Sequence, residues 1–219
     1  MNWGMRISHV FASGGLLVAA LLAGCSTVHQ VTVDAISDRS RALGVSYHLD
    51  VDDPTGGVEP GVHAVAISNI KDALGARGLY EVPASVRPDM VIEASYGVGH
   101  GHVSIVTERN SDLLTGGLIP PPNSKAVVVF DKTLELTAHA PESPNAPGGK
   151  ARSRDELWSI KTKITDTKQD ISAYLPALAS ACIDYIGENP GREVILPVDT
   201  AQAKVLLQKR PAAAEPAAK

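Results

Sequence analysis

Cysteine and positive charge are both scarce in this 219-residue sequence. Its two cysteines, Cys25 and Cys182, allow at most one intramolecular disulfide, which excludes a fold built on a disulfide framework. The chain carries 20 Lys and Arg against 24 Asp and Glu. This balance argues against nucleic acid or anionic lipid headgroups as partners, because both require a basic surface.

Long apolar runs are also lacking, except for one near the N-terminus, from Val10 to Gly24. The run provides roughly 14 residues of hydrophobic length, where a helix that crosses a membrane needs about 20. That length is typical of the hydrophobic region of a signal peptide, and Arg6 supplies the positive charge that precedes such a region. We therefore expect residues 1–24 to be a signal peptide.

The apolar run ends in Leu22-Ala23-Gly24-Cys25, which has the form of a bacterial lipobox. In that motif the cysteine thiol is lipidated. Cleavage before the cysteine then makes it the N-terminal residue. The alternative is an ordinary cleaved signal peptide with an incidental cysteine. We favour lipidation at Cys25, and two or more acyl chains hold a protein stably on a membrane. In Gram-negative bacteria an Asp directly after the lipidated cysteine commonly retains a lipoprotein in the inner membrane. Here that residue is Ser26, so we expect the protein to lie at the periplasmic face of the outer membrane.

Removal of residues 1–24 leaves 195 residues, enough for one domain with its own core. Arg6 is the sole charged residue removed, so 19 basic residues remain against 24 acidic ones and the formal charge is −5. With Cys25 lipidated, Cys182 has no disulfide partner. We expect a single lipoprotein domain over 25–198, followed at 199–219 by a short helix and a low-complexity disordered tail.

Strands are predicted where apolar and polar residues alternate, as in half-buried strands. The segments are 26–36, 46–51, 87–98, 126–140 and 156–166. The last of them carries on its inward face Trp158, Ile160, Thr162 and Ile164. The polar, Pro- and Gly-rich segment between the last two strands predicts a long hairpin loop.

Helices are predicted where apolar residues recur every three or four positions. The first spans 62–77 and ends at Gly78, where a left-handed C-cap belongs. The second spans 171–186; with Ser172 as its N-cap, Pro176 falls in the first turn, where amide donors have no helical partner.

The apolar stripe of the second helix includes Cys182, which we expect to be a buried, unreactive side chain. Together the elements predict an α+β fold in two layers: a mainly antiparallel sheet with two main helices packed on one face.

Several of these elements also carry a resemblance to a known family. The lipobox is followed closely by a strand, then by a helix ending "ALGARGL" (73–79), by "PDMVIEASY" (88–96) and "ELWSIKTKI" (156–164), and by a closing helix. In these features the chain resembles small bacterial lipoproteins of the domain-of-unknown-function 4136 type, over roughly residues 26–188. The resemblance implies this fold and an envelope location. It implies no reaction, no cofactor and no catalytic residue.

Candidates for chemistry are few. His100 and His102 stand two residues apart in "GVGHGHV", a spacing that can grip a divalent metal if the segment is extended. Two ligands do not make a site, and His48, His63 or Glu93 would have to complete it. The simpler interpretation, which we favour, is two exposed histidines in a glycine-rich strand end. No serine elbow, zinc-protease motif or phosphate-binding loop is present, so we expect no cofactor and no enzyme activity.

The segment 113–122 combines four large apolar residues with prolines and glycines that forbid a regular element. It either folds back onto the core or forms an exposed apolar loop of the kind that marks a partner or membrane surface. Two functions remain open. One is a non-enzymatic lipoprotein that binds an envelope protein or assists envelope assembly; the other is a periplasmic metal-binding or hydrolytic lipoprotein that uses His100 and His102.

Overall fold

The structure of the protein is a computed structural model that describes residues 27–41, 43–52, 60–108, 123–141 and 155–208. The expectations for the signal peptide, for Cys25, for the segment 113–122 and for the tail after residue 208 lie outside these residues. The interior of the predicted hairpin loop between the last two long strands lies outside them as well.

The described part of the chain forms eight strands, three α-helices and one 3₁₀ turn, and every predicted helix and strand is present. In chain order they are β1 (Val28–Ser37), β2 (Ser46–Asp52), α1 (Pro60–Ala76), β3 (Tyr80–Glu81), β4 (Met90–Val98), β5 (His102–Glu108), β6 (Asn123–His139), β7 (Glu156–Asp166), α2 (Leu175–Cys182), the 3₁₀ turn (Ile183–Tyr185), β8 (Val194–Asp199) and α3 (Thr200–Gln208).

The strands form one mixed sheet in the order β3-β2-β4-β6-β7-β1-β8, with β5 paired to an extension of β6. Strand β2 is parallel to β3 and β4, because α1 carries the chain back over the sheet between β2 and β4. The other pairings are antiparallel. The α+β class and the mainly antiparallel sheet are therefore confirmed.

The core lies between this sheet and the helices, and strand alternation decides which side chains enter it. The inward faces predicted from the sequence are confirmed, since Val31, Val33, Met90 and Ile160 are all buried. From α1 the same cluster receives Ile70 and Leu74, and from α2 it receives Leu175, Leu178 and Cys182.

The predicted end of the first helix is confirmed, since Gly78 (φ 91°) adopts the left-handed conformation that glycine tolerates. The predicted end of the second helix is wrong: α2 ends at Cys182 with Ile183 as C-cap, and the left-handed Gly187 (φ 74°) follows the 3₁₀ turn instead.

The predicted N-cap of α2 is wrong. That helix begins at Leu175 with Tyr174 as N-cap, and the Ser172 hydroxyl instead donates to Asp170 Oδ1 at 2.7 Å. The amide and the hydroxyl of Ser172 both bond Asp170, so the serine does not cap the helix. The helix starts later, and Pro176 is still in its first turn.

A third helix, α3, completes the helical layer beside the two that the sequence emphasised. It follows β8 directly, and its Ala203 and Leu207 are buried, with Leu207 part of the common core. The start of the segment 199–219 is therefore packed on the domain. No helix of the described ranges combines the length and apolar character needed to cross a membrane.

Strands β4 and β5 run along the same side of β6 and are separated by a β-bulge. Val98 is opposite Lys132 and His102 is opposite Val129, so three residues on one strand face two on the other. Beyond the bulge, His102–Glu108 and Asn123–Val129 pair as a two-stranded ribbon, which we call the β5–β6 arm. Strand β7 pairs with β6 only as far as Phe130, so the arm extends past the end of the main sheet.

Trp158 provides a test of the core assignment. Its side chain is 1% exposed on β7, and its indole Nε1 has no hydrogen-bond partner among the described residues. Trp158→Ala should lower the free energy of unfolding by about 3 kcal/mol, because it leaves a cavity in the core. Trp158→Phe should cost less, since the lost N–H makes no bond.

The measurement is chemical denaturation of the three proteins with Lys161→Ala as control, since Lys161 lies on the outer face of the same strand with a 54% exposed side chain. Equal unfolding free energies for Trp158→Ala and Lys161→Ala would contradict the assigned strand faces.

Candidate functional site

The two candidate metal ligands lie at the bulge between β4 and β5, and both are exposed. Irregular backbone at 99–101 replaces the extended strand on which their predicted spacing depended. The bulge is held by a hydrogen bond from Gly99 N to Asp131 O at 2.8 Å. At Gly101 a Cβ atom would lie 2.8 Å from Phe130 Cε1, so any other residue would have to displace that ring.

The residues considered as further ligands are placed elsewhere. His48 Nε2 lies 3.1 Å from Pro83 O, and His63 Nδ1 lies 2.9 Å from the hydroxyl of Tyr96. Glu93 is 3.5 Å from His139 Nε2 and stands seven residues before His100, about 23 Å along an extended chain. Within the described ranges, no three His, Cys, Asp or Glu side chains are grouped so that they could hold a metal ion.

The most distinctive polar group is a cluster at the base of the arm, formed by the buried Lys132 and Tyr174 and the half-buried Asp166 and His29, which we call the basal cluster. Lys132 is 0% exposed, although it lies on the core-facing side of β6. Its Nζ donates to Phe130 O at 3.2 Å and to Asp166 O at 3.1 Å. The same ammonium lies 4.7 Å from the centre of the Tyr174 ring, within cation–π distance.

Tyr174 connects the members of the basal cluster. Its hydroxyl donates to Asp166 Oδ2 at 2.7 Å, and its ring centre is 5.0 Å from that of His29. Strand register explains the meeting: Phe130 is opposite Asp166 on β7, and the pairing of β7 with β1 brings His29 to the same level. The first residues of β1, the end of β7 and the base of the arm therefore lie at the same end of the sheet.

Burial and hydrogen bonding shift the pKa values in the basal cluster. Desolvation lowers the pKa of Lys132, against the attraction of Asp166 and Asp131. For Asp166, burial opposes ionisation, but hydrogen bonds from Tyr174 and Thr167 outweigh it and lower the pKa. Burial and the Asp166 carboxylate raise the pKa of Tyr174. At neutral pH Tyr174 is thus protonated and Asp166 is a carboxylate, and the Lys132 Nζ lies over the tyrosine ring.

This arrangement closes the end of the core. The Lys132 ammonium is directed at two carbonyl oxygens and an aromatic ring, and its complete burial keeps it from any external reactant. The sequence analysis missed Lys132. The signal was its alternation with Leu134, Leu136 and Ala138, which places a lysine on the apolar face of β6.

An open groove of about 710 Å³ lies at the opposite end of the sheet. Arg41, on its wall, is held by Asp155 Oδ2 at 3.1 Å and Asp38 Oδ2 at 3.4 Å. The groove is lined by residues that flank β2, β4 and β7: Arg41, Leu43, Gly44, Val45, Arg87, Pro88, Asp89, Ala140, Pro141 and Leu157.

Cys182 is fully buried, as expected from its place on the apolar stripe of α2. Its Sγ lies 3.4 Å from Leu178 O, inside the helical layer. Desolvation raises the pKa of its thiol to about 12, which keeps the sulfur protonated and unreactive at neutral pH.

Comparison with known proteins identifies no family. No protein-family model matches the chain, and no curated protein matches it. Among solved structures, a PDZ domain protein from Parabacteroides distasonis has a TM-score of 0.42 at 13% identity, over 79% of this chain and 40% of that one. A PelC dodecamer from Paraburkholderia phytofirmans has a TM-score of 0.38 at 15% identity, over 72% of this chain and 98% of that one. At these TM-scores neither likeness supports a conclusion about function.

The buried ammonium of Lys132 gives a prediction about stability. Replacing a buried charge with an apolar side chain of similar length is often neutral or stabilising, whereas truncation leaves a cavity. We expect Lys132→Met to unfold with a free energy equal to or above that of the wild type, and Lys132→Ala to be about 2 to 5 kcal/mol less stable than Lys132→Met. Urea denaturation at pH 7 measures all three.

The pH dependence of the same proteins checks the lowered pKa of Lys132. As the pH rises from neutral toward the ordinary lysine pKa of about 10.5, the folded lysine releases its proton before the unfolded one does, so the stability of the wild type should rise relative to Lys132→Met. A difference that stays constant over this range would contradict the lowered pKa.

The histidine pair gives a separate prediction. The double variant His100→Ala/His102→Ala should bind as much metal as the wild type and change the free energy of unfolding by less than about 0.5 kcal/mol, because both side chains are exposed. Metal content is measured on protein purified without an affinity tag. Stoichiometric zinc or copper that the double variant loses, with binding that weakens below about pH 6.5, would instead establish the metal function.

Proposed function

We propose that the protein is a periplasmic lipoprotein anchored in the outer membrane through Cys25, and that it acts as a non-enzymatic binding or envelope-assembly module. The observation that carries the proposal is the continuity of lipobox and domain. Leu22-Ala23-Gly24-Cys25 ends two residues before Thr27, and β1 begins at Val28. An acylated Cys25 would therefore hold the folded domain directly against the bilayer.

The way in which β1 is fixed supports this form of anchoring. Its first residues pair with β8, with Val28 opposite Asp199, and both the amide and the hydroxyl of Thr200 donate to Thr27 O, at 3.2 Å and 3.1 Å. Structure thus begins almost at the predicted lipid, with no long linker that would let the domain move away from the membrane.

The non-enzymatic part of the proposal rests on where the polar chemistry lies. Lys132, Tyr174 and Cys182 are buried, Asp166 is half-buried, and all four already have protein contacts. The accessible features are the edge strand β8, with its exposed Ile195, and the open groove at the end of the sheet away from the arm. Strand edges and grooves of this kind bind protein segments.

Lipidation is tested by Cys25→Ala in cells of a Gram-negative host fed labelled palmitate. We expect the wild type to be processed and labelled, and Cys25→Ala to accumulate as an unlabelled precursor, because the acyl acceptor is gone. Cys182→Ala is the matched control and should be processed and labelled like the wild type, since that thiol is buried. A Cys25→Ala variant that is cleaved and labelled normally would contradict the proposal.

The same cells test the membrane of residence. We expect the wild type to fractionate with outer-membrane markers, and Ser26→Asp to shift toward the inner membrane, because an acidic residue after the lipidated cysteine favours retention there. Wild-type protein found only with inner-membrane markers would contradict the outer-membrane location.

A further inference from the structure

The β5–β6 arm exposes apolar side chains to an unusual degree. Val103 is 69% exposed, Ile105 is 72% exposed and Val128 is 52% exposed. Val103 lies opposite Val128 and Ile105 lies opposite Ala126, so these four side chains form one face of the ribbon, which we call the apolar arm face. Contiguous exposed apolar surface of this kind marks a binding or membrane site.

The apolar arm face continues the core side of the sheet. Along β6 the inward positions Leu136 and Leu134 are followed by Lys132, and the same alternation reaches Val128 and Ala126. The bulge adds one residue to the opposing strand and keeps Val103 and Ile105 on this side as well. The described helices pack on the main sheet. They do not cover the apolar arm face, because the arm extends past the end of that sheet, beyond the basal cluster.

The arm leaves the domain at the end where Cys25 is attached. The pairing of Thr32 with Lys163, continued by three residues, puts His29 level with Asp166, which is opposite Phe130 on β6. Tyr174 contacts both His29 and Asp166. Counted from this level, Cys25 is four residues upstream of His29, and the arm begins at the next residue of β6, Val129. The first residues of β1 and the arm therefore lie at the same end of the sheet.

Their lengths can be compared. Four residues of linker reach at most about 14 Å from the level of His29, even fully extended. The arm from Val129 to Asn123 extends about 20 Å. Strand β1 is two strands away from β6 in the sheet, so sheet twist rotates the two strands by roughly 45° relative to each other. Measured along the direction of β1, the arm therefore still extends about 14 Å. A bilayer that holds the acyl chains of Cys25 therefore meets the arm unless the linker is stretched to its limit.

We propose that the apolar arm face docks into the lipid bilayer that holds Cys25 and gives the domain a second, non-covalent membrane contact. The inference rests on the lipidation proposed above. The formally charged residues of the arm are Glu108, the last residue of β5, and Lys125, whose aliphatic stem can lie along the interface with its ammonium in water. Because the lipid already concentrates the domain at the surface, a small apolar contact suffices to fix its orientation.

The test measures contact between single positions and lipid in the full-length, processed protein. Val103→Cys and Ile105→Cys are labelled with an environment-sensitive fluorophore and reconstituted into phosphatidylcholine vesicles that carry a spin-labelled lipid as quencher. Ile36→Cys is the matched control: Ile36 is 56% exposed on a β-strand but lies at the opposite end of β1. Background labelling is avoided because Cys182 is fully buried and a lipidated Cys25 has no free thiol.

Lipid quenching of the fluorophore at positions 103 and 105, with none at position 36, is the expected result. Thermal melts that match the wild type establish that the variants are folded. Absence of quenching at 103 and 105, in protein whose mass shows acyl chains on Cys25, would overturn arm docking and leave the proposed function intact.

The remaining outcomes also count against docking. Equal quenching at all three positions would show a domain without a fixed orientation. A fluorophore that is shielded from water even without vesicles, and is not quenched by lipid, would indicate that a second copy of the chain covers the arm. A mass that shows unmodified Cys25 would overturn the proposed function itself.

Discussion

The pairing of strand β6 is the constraint on which the structure depends. Its 17 residues hydrogen-bond to β4 and β7 along one half and to β5 along the other. Strands β3, β2 and β4 thus join β7, β1 and β8 in one sheet only through β6. Because side chains alternate along a strand, its register also decides which residues enter the core and which emerge on the arm. A shift of one residue would reverse both.

The basal cluster lies where β6 passes from the main sheet to the arm. It forms the boundary of the hydrophobic core at that end of the sheet. A lysine on the apolar face of a strand is costly to bury unless its protons find acceptors. Here two backbone carbonyls accept hydrogen bonds from Lys132 Nζ, and the ring of Tyr174 lies beneath it. Asp166 in turn accepts the hydrogen bond of the tyrosine hydroxyl. Three strands and the start of α2 are tied together by one set of contacts. The same contacts bring the start of β1, and with it the proposed anchor, beside the arm.

Anchoring and binding surfaces are arranged along the strand axis. The end of the sheet near residue 28 carries the predicted lipid attachment and the arm, and the groove between Arg41 and Pro141 opens at the other end. With the first end on a bilayer, the groove would face away from it, toward the periplasm. This polarity fits a module that is held on one side and binds a partner on the other.

By itself, the sequence determined the elements and their faces, because period-two and helical spacing follow from local geometry and burial. It placed Trp158 and Cys182 in the core and Gly78 at a helix end correctly. The strand order, the parallel β2–β4 pair and the contacts of Lys132 with Asp166 and Tyr174 follow from the tertiary structure alone. These depend on hydrogen bonds between residues far apart in the chain, such as Phe130 opposite Asp166, and no local spacing encodes which distant strand a segment will meet.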